Sequence, residues 1–484
     1  MNEDFSRFLL PVSFLLCGCF GLYKVLISPN DPRAYLYLGA AVSLELLLII
    51  LWKFREAFFP VLIVVFLLAG MDFPYKSVWL AARWAVLAAG ALFAFTIYLK
   101  ESRKYPFGKF QLLAGCCVLS ALISTFGSSD SRLALLKTGS LMLVFLYGIT
   151  GARMAIVGRE AKFFSGLLLA CEVLVYISAV VYFVARFPLF GNPNSLGAIM
   201  GIVVAPLLMW GVLVSEGKRC YKRRVFTLSL CGVLLLSSLA RAAMAGAVMA
   251  ALMFCLPLRR YRLLMQGAGM VLLMGMLIIS VRSVRSNQSP NQSRESSLVA
   301  LLLHKGHSES SILLSREGPW QQTKDAVRKH PWFGTGFGTS ETNYEAANPD
   351  TDTLRTASVV TTTREHGNSY LAILEWVGLL GVVPFCLLII MTGVNVARVV
   401  LWMYRSQSYV SPAVPIAAVA ISALVHAAFE DWMFAPGYYI TVFFWAFAFV
   451  LVDLIPVAKP RLVQQGICHP IRPSLRTGTA VPAR

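Results

Sequence analysis

The segment REHGNSYLAILEWVGLLGVVPF, from Arg364 to Phe385, begins as charged surface sequence and soon becomes hydrophobic enough to cross a membrane. One carboxylate, Glu375, lies inside the hydrophobic part. An ionisable side chain is costly in a bilayer, so it indicates a specific structural or chemical role there. The segment therefore predicts a membrane helix with functional side chains at its polar mouth.

The composition extends this prediction to the whole chain. Its 484 residues are 57% hydrophobic and 14% charged, whereas soluble domains are about 25% charged. Apolar runs of the ~20 residues that cross about 30 Å of hydrocarbon recur along the chain. We therefore predict an all-α polytopic membrane protein with about 12–14 transmembrane helices.

The net charge of +19 lies mainly in alternate loops and in the C-terminal tail. This is the pattern that the positive-inside rule requires, so we attribute the charge to membrane topology and expect no nucleic-acid partner. The same pattern predicts a multi-pass membrane protein with both termini cytoplasmic and membrane lipids as its surroundings. The ten cysteines form no disulfide framework and no metal-ligand spacing. We therefore expect no metal and no cofactor.

The predicted spans are interrupted by one long polar segment on the outer face. Within it, SREGPWQQTKDAVRKHPWFGTGFG predicts an amphipathic helix that ends near His330, because Pro331 follows. The predicted organisation is an N-terminal transmembrane bundle (1–280), a periplasmic loop (281–367), C-terminal transmembrane helices (368–457) and a basic cytoplasmic tail (458–484).

Three glycines in the GTGFG sequence, Gly334, Gly336 and Gly338, have the density of a phosphate-binding loop. Such a loop follows a strand and opens a helix, and neither element is predicted here. The glycines therefore predict a tight turn that re-enters the bundle.

Cationic side chains gather on the predicted outer face. Arg241 lies at a tight junction between two spans, Arg316 begins the loop helix, and Arg364 and His366 stand at the mouth of the next span. The planar fork of arginine donates two parallel hydrogen bonds to a phosphate. Histidine titrates close to working pH and suits proton transfer. This combination points to a lipid-linked diphosphate whose departure drives a group transfer, because no ATP is present outside the cell.

Three further residues are candidates for lining or supporting this site. Asn194 lies in an outer turn, where it either forms the turn or lines a sugar site. Asn368 and Glu375 are seven residues apart, so they share one helix face with Glu375 about 10 Å deeper. We expect Glu375 to be a buried hydrogen-bond acceptor that links helices.

Four motifs resemble the O-antigen ligase and polymerase superfamily. EHGNSYLAILEWVGLLG is similar to its His-Asn signature, with Gly367 between the two residues. The other three motifs precede it in the chain, in the same order as in the family. Those three are RFPLFGNPNSLGAIMGIVVAPLL, SSLARAAMAGA and REGPWQQTKDAVRKHPWFGTGFG. Together the four motifs cover roughly 186–452.

The resemblance implies a type C glycosyltransferase-like bundle with one large outer loop, in the bacterial inner (cytoplasmic) membrane. It also implies a metal-independent, inverting transfer of glycan from an undecaprenyl-diphosphate-linked donor. The acceptor would be a hydroxyl of lipid A-core or of a growing glycan, and the product a surface polysaccharide or lipopolysaccharide. In this scheme Arg241, Arg316 and Arg364 hold the diphosphate, and His366 activates or orients the acceptor. Ligation and repeat-unit polymerisation use the same donor chemistry, so both remain candidate reactions.

Two functions of other classes fit parts of the pattern. A transporter would use Glu45, Glu172 and Glu375 to relay ions or protons within the membrane. The long outer segment and the absence of inverted repeats argue against a carrier. A non-catalytic scaffold of an envelope assembly is the other alternative.

Overall fold

The computed structural model describes 42, 46–47, 49–51, 53–71, 76–101, 105–187, 189–262, 265, 269, 314–340 and 366–456, with only the backbone described at 314–316. Within these ranges the regular secondary structure is helical, with no strand. The predicted spans at 1–41 and 270–280, the loop sequence at 281–313 and 341–365, and the tail at 458–484 lie outside the described residues.

The described helices are labelled here in chain order. They are α1 (Phe58–Gly70), α2 (Lys76–Glu101), α3 (Lys109–Thr125), α4 (Ser131–Ile156), α5 (Glu160–Phe183), α6 (Pro193–Val214), α7 (Tyr221–Ser238), α8 (Arg241–Cys255), α9 (Leu314–Lys329), α10 (Ser369–Ser406), α11 (Ala413–Ala427) and α12 (Tyr439–Leu454). Single π-helical turns interrupt α4 at Gly148–Ala152 and α6 at Met200–Val204.

Membrane-type helices dominate the described chain. Five of them (α2, α4, α5, α6 and α10) are long and apolar enough to cross a membrane, and α3, α8, α11 and α12 are shorter apolar helices. The prediction of an all-α polytopic membrane protein is confirmed. The predicted loop helix corresponds to α9, which ends at Lys329, one residue before the predicted stop.

Short connections make successive helices from α1 to α8 and from α10 to α12 alternate in direction, so their ends collect at two opposite ends of the bundle. One end carries the starts of α2, α4, α6, α8, α10 and α12 and is called here the cavity end. The opposite end carries most of the basic residues in or beside the described loops, among them Lys53, Lys109, Arg159, Lys162, Lys218, Arg219, Lys222 and Arg260.

Helix α10 is broken at Gly378, whose backbone (φ 68°, ψ −177°) is not helical. In an intact helix the carbonyls of Glu375 and Trp376 would accept from the amides of Leu379 and Leu380. Here the Glu375 and Trp376 carbonyls instead accept from the amides of Thr335 and Gly336, at 2.9 and 3.1 Å. The amides of Leu379 and Leu380 donate to the Pro331 and Trp332 carbonyls, at 2.8 and 3.2 Å. The segment 331–336 thus replaces two helical hydrogen bonds with four of its own.

The glycines of GTGFG make this docking possible. Gly334 has a φ of 71°, and a Cβ there would lie 2.5 Å from the Glu375 carbonyl oxygen. A Cβ on Gly378 would lie 2.4 Å from the Trp332 carbonyl oxygen. Only glycine combines a positive φ with so close a backbone approach. GTGFG is therefore a turn packed into the break of α10, in agreement with the sequence-based interpretation.

The start of α8 is held by close packing of α6, α8 and α11. A Cβ on Gly201 would lie 2.4 Å from the Ala243 carbonyl oxygen, and one on Gly246 would lie 2.9 Å from that of Ser422. The Ser422 hydroxyl also donates to the Gly246 carbonyl at 2.9 Å. Small residues let the backbones approach this closely, as in other membrane bundles. The first turn of α8, and with it Arg241, is therefore rigidly placed.

Ion pairs join helices near the opposite end. The Arg153 guanidinium donates to both carboxylate oxygens of Asp453, at 2.6 and 2.7 Å. The buried Glu172 is paired with Arg223 at 2.8 Å and with Arg224 at 3.4 Å. These contacts make Glu172, one of the three acids of the transporter alternative, an acid that links helices. Another of them, Glu45, lies outside the described residues.

Candidate active site

A cavity of about 1830 Å³ opens at the cavity end of the bundle. Its walls come from α2, α4, the first residues of α6 and α8, and the loop 428–438 between α11 and α12. Phe337 and Gly338 of the GTGFG turn add to the wall. The cavity is therefore assembled from helices distant in sequence.

Two of the predicted site residues line this cavity, Arg241 and Asn194. Arg241 is the first residue of α8, and the preceding Ala240 has no side-chain acceptor with which to cap the helix. The backbone amides and the positive end of the helix dipole at such a terminus attract anions. The Arg241 guanidinium adds a full positive charge, so this corner of the cavity suits a phosphate group.

Two further basic side chains, Arg83 and Lys137, line the same cavity. Arg83 donates through Nη1 to the Gly437 carbonyl at 2.7 Å, and its buried Nε has no hydrogen-bond acceptor within the described structure. Lys137 donates to the Gly338 carbonyl at 2.8 Å, which leaves two of its N–H groups for other acceptors. The sequence interpretation did not select either residue. The signal was present, because each is a charged residue inside an apolar run.

His366 is fully buried and lies behind the cavity wall. Its Nδ1 is 3.1 Å from the Asp431 Oδ2, and its backbone amide donates to the same oxygen at 2.8 Å. Its Nε2 is 3.3 Å from the Glu375 Oε2 and 3.1 Å from the Ser340 hydroxyl. The Asp431 side chain is 23% exposed and lines the cavity, so it separates His366 from the cavity.

The carboxylates of Asp431 and Glu375 influence the protonation of His366. Burial is the largest influence on the His366 pKa and lowers it, but hydrogen bonds and charge from Asp431 and Glu375 together raise the pKa above 6.5. Burial likewise acts to raise the pKa of Asp431, and the hydrogen bonds from His366 outweigh it and lower that pKa below 3.8. The arrangement therefore favours the ionised form of Asp431 and the protonated form of His366.

Residues 226–386 match the O-antigen ligase family. This match is to the same superfamily that the motifs resemble, so it confirms the resemblance drawn from the motifs. No curated protein matches the chain.

The matched O-antigen ligase region runs from α7 into α10 and contains Arg241, the GTGFG turn, His366 and Glu375. Arg83, Lys137, Asn194 and Asp431 lie outside it. The cavity therefore combines residues of the O-antigen ligase region with residues from both flanks.

The supporting residues fix the geometry around His366. Asn368 caps α10, because its Oδ1 accepts from the amides of Tyr370 and Leu371 at 2.8 and 3.1 Å. The Ser369 hydroxyl donates to the Glu430 carbonyl at 2.6 Å and accepts from the Met433 amide at 3.1 Å. These contacts attach the loop that carries Asp431 to the start of α10.

Glu375 is fully buried. Glu375 nevertheless contacts a residue of the polar mouth, because His366 folds back against the Glu375 carboxylate. The Trp376 ring packs edge-on to the His366 ring, with centroids 5.4 Å apart. Glu375 thus connects the broken helix directly to the histidine.

The other predicted site residues are only partly placed. Arg316 lies in the first turn of α9 with its side chain outside the described structure, and Arg364 lies outside the described residues altogether. In the part of the chain that is described, no group of three His, Cys, Asp or Glu side chains is placed to hold a metal ion.

Proposed function

We propose that this protein transfers a glycan from an undecaprenyl-diphosphate-linked donor to an acceptor hydroxyl at the cavity end of the bundle. The O-antigen ligase match supports glycan transfer of the ligase or polymerase type in general. The observation that carries the finer proposal is the union, in one cavity, of three basic side chains with the carboxylate of Asp431. The basic side chains are Arg83, Lys137 and Arg241.

In the proposed reaction the acceptor oxygen bonds to the anomeric carbon of the donor sugar from the face opposite the diphosphate. The bond between that carbon and the diphosphate oxygen breaks, and the diphosphate departs with the electron pair. Arg241, the first turn of α8, Arg83 and Lys137 stabilise the charge that develops on it. Attack opposite the leaving group inverts the anomeric centre.

The acceptor proton passes to Asp431 in this scheme. Both His366 ring nitrogens face carboxylate oxygens, so a protonated His366 has no lone pair directed at the cavity. Asp431, by contrast, reaches the cavity surface. We therefore assign the base to Asp431 and make His366 the positioning residue that orients it, a change from the direct role expected from the sequence.

The orientation of the bundle is part of the proposal. Most basic residues in or beside the described loops lie at the end opposite the cavity. The positive-inside rule then places that end in the cytoplasm and the cavity at the periplasmic face of the inner membrane. Donor and acceptor would meet there, where lipid A-core or a growing glycan is the acceptor.

The arginine contact can be tested with a charge-preserving change. Arg241→Lys removes the planar fork but keeps the charge, so transfer should fall at least tenfold if the guanidinium holds a phosphate in two-point contact. Arg398→Lys, on an exposed part of α10 away from the cavity, is the matched control and should transfer at the wild-type rate. Transfer from a purified lipid-linked donor, normalised to folded protein, is the measurement. Equal rates for the two variants would contradict the assignment.

The envelope glycans of a deletion strain distinguish the candidate reactions. Free lipid A-core with accumulated lipid-linked polymer supports a ligase, whereas glycans of a single repeat support a polymerase. An unchanged glycan profile would contradict both and favour the transporter or scaffold hypotheses.

A further inference from the structure

Helices α3 and α10 together present an apolar surface to the surroundings of the bundle. The two helices pack against each other, and the Ser120 hydroxyl of α3 donates to the Gly381 carbonyl of α10 at 2.8 Å. Large apolar side chains on their outer sides are about half exposed, among them Leu119, Ile123, Leu380, Val383, Leu387 and Ile390. On membrane-type helices an exposed apolar face of this length contacts the hydrocarbon of the bilayer.

The charge-free part of α10 locates the edge of that hydrocarbon. No charged residue occurs from Leu379 to Ala397, and the exposed Arg398 follows. At 1.5 Å per residue this run is about 28 Å long, close to the roughly 30 Å of hydrocarbon in a bilayer. Because α10 starts at the cavity end, Arg398 marks the boundary nearer the opposite end. Leu379 therefore lies near the boundary at the cavity end.

Two exposed aromatic side chains lie at this boundary. The amides of Leu379 and Leu380 donate to the Pro331 and Trp332 carbonyls, so the segment 331–336 lies at the same height. The Trp332 and Phe333 residues of this segment are 58% and 52% exposed. Large apolar rings thus stand where hydrocarbon meets the lipid headgroups.

The aromatic pair is continuous with the apolar surface of α3. Phe126, the residue after α3, is 86% exposed, and a Cβ added to the neighbouring Gly127 would lie 3.8 Å from the Phe333 Cβ. Arg328 and Lys329, at the end of α9, are exposed just before the pair. Tryptophan is enriched at the membrane–water boundary, and basic side chains are attracted to anionic lipid headgroups there. The patch therefore has the composition of a surface that contacts the bilayer interface.

We propose that Trp332, Phe333 and Phe126 anchor the segment 331–336 in the interface of the bilayer leaflet at the cavity end. The partner of this patch is lipid, because the patch continues into the hydrocarbon-facing sides of α3 and α10. The anchored segment supplies the hydrogen bonds that replace the broken turn of α10. The bilayer thereby fixes the depth of that break. No part of this anchor depends on the proposed reaction.

Photo-crosslinking of the full chain in phospholipid vesicles tests the contact with lipid. The photoreactive residue p-benzoylphenylalanine replaces Trp332 or Phe333, and Gln321, on the exposed face of α9, is the matched control position. Leu387, in the middle of the apolar run, is the positive control. Mass spectrometry should find phospholipid adducts at Trp332 and Phe333 at least about fivefold above the yield at Gln321. Adducts no more frequent than at Gln321, or crosslinks to a second copy of the chain in place of lipid, would overturn the proposal.

Hydrogen exchange tests whether the contact holds the segment. Trp332→Ser combined with Phe333→Ser removes both rings, and Gln321→Ser is the matched control. In phospholipid nanodiscs the amides of Thr335 and Gly336 should exchange at least about tenfold faster in the double variant, because the docked segment opens more often. Unchanged protection of α12 shows that each variant is folded. Equal exchange of the two amides in the double variant and the control would show that the rings do not anchor the segment and would overturn the proposal.

Discussion

Substitution of Asp431 by asparagine separates the two candidate bases. Asparagine keeps the size of the side chain and an oxygen that can accept from the His366 amide, but it carries no charge and cannot take a proton. General-base catalysis contributes about 100- to 10,000-fold, so the transfer step should slow by that factor, equivalent to about 3–5 kcal/mol in the barrier. Donor affinity should change little, because Arg83, Lys137 and Arg241 remain.

His366→Gln is the matching change on the other side of the contact. The glutamine amide can still donate to Asp431, whose carboxylate stays ionised and directed at the cavity. We therefore expect a smaller loss, about tenfold, attributable to poorer orientation of Asp431. Single-turnover transfer by each purified variant, with donor affinity measured separately, gives the comparison. A larger loss in His366→Gln than in Asp431→Asn would show that the histidine itself takes the proton and would refute the assignment to Asp431.

The same pair predicts a pH dependence of stability. The raised pKa of His366 contributes stability that is complete below 6.5 and is lost as the pH rises through the raised value. The lowered pKa of Asp431 contributes stability that is present above 3.8 and is lost as the pH falls through the lowered value. The stability advantage of the wild type over Asp431→Asn should therefore be largest from pH 3.8 to 6.5 and shrink at alkaline pH. A difference that does not vary with pH in thermal unfolding would contradict the ion pair.

Two other experiments test the GTGFG turn and the metal requirement of transfer. Gly334→Ala should lower the free energy of unfolding by about 3 kcal/mol, because of the strained φ and the loss of the contacts to Glu375 and Trp376. Gly318→Ala, at an exposed position of α9, should raise the free energy of unfolding by up to about 1 kcal/mol. Denaturation in detergent that ranks the two variants the other way would contradict this. Glycan transfer by the purified protein should survive EDTA, because the proposed charge stabilisation uses arginine, lysine and a helix terminus. Transfer that EDTA abolishes and magnesium restores would show a metal requirement.

The helical architecture and part of the site could be predicted from local sequence alone. Hydrophobic length identifies the membrane helices, and a charged residue at a tight junction identified Arg241. Glycine density together with the wrong context for a phosphate loop predicted the GTGFG turn. Each of these inferences depends only on residues that are neighbours in the sequence, so no tertiary structure was needed to make them.

The groups around His366 required the tertiary structure. The spacing of Asn368 and Glu375 predicted an acid deep in a straight helix, but the break at Gly378 and the docked GTGFG turn change the surroundings of that acid. Asp431 lies 65 positions after His366 and meets it only because of how the loop after α11 packs. Its sequence neighbourhood, an acid beside Glu430 at the end of a span, carries no distinctive pattern.

The broken helix explains how a membrane bundle can hold a histidine between two carboxylates. The buried ion pair is favourable only if its partners are held in place, because desolvation of each charge costs several kcal/mol. GTGFG anchors the Glu375 side through backbone hydrogen bonds, and Ser369 anchors the Asp431 side through Glu430 and Met433. Both anchors act within the first turns of α10, so the position of His366 is determined before the helix continues past Gly378. Loosening either anchor should therefore release the orientation of Asp431 while leaving the basic residues of the cavity, which stand on α2, α4 and α8, in place.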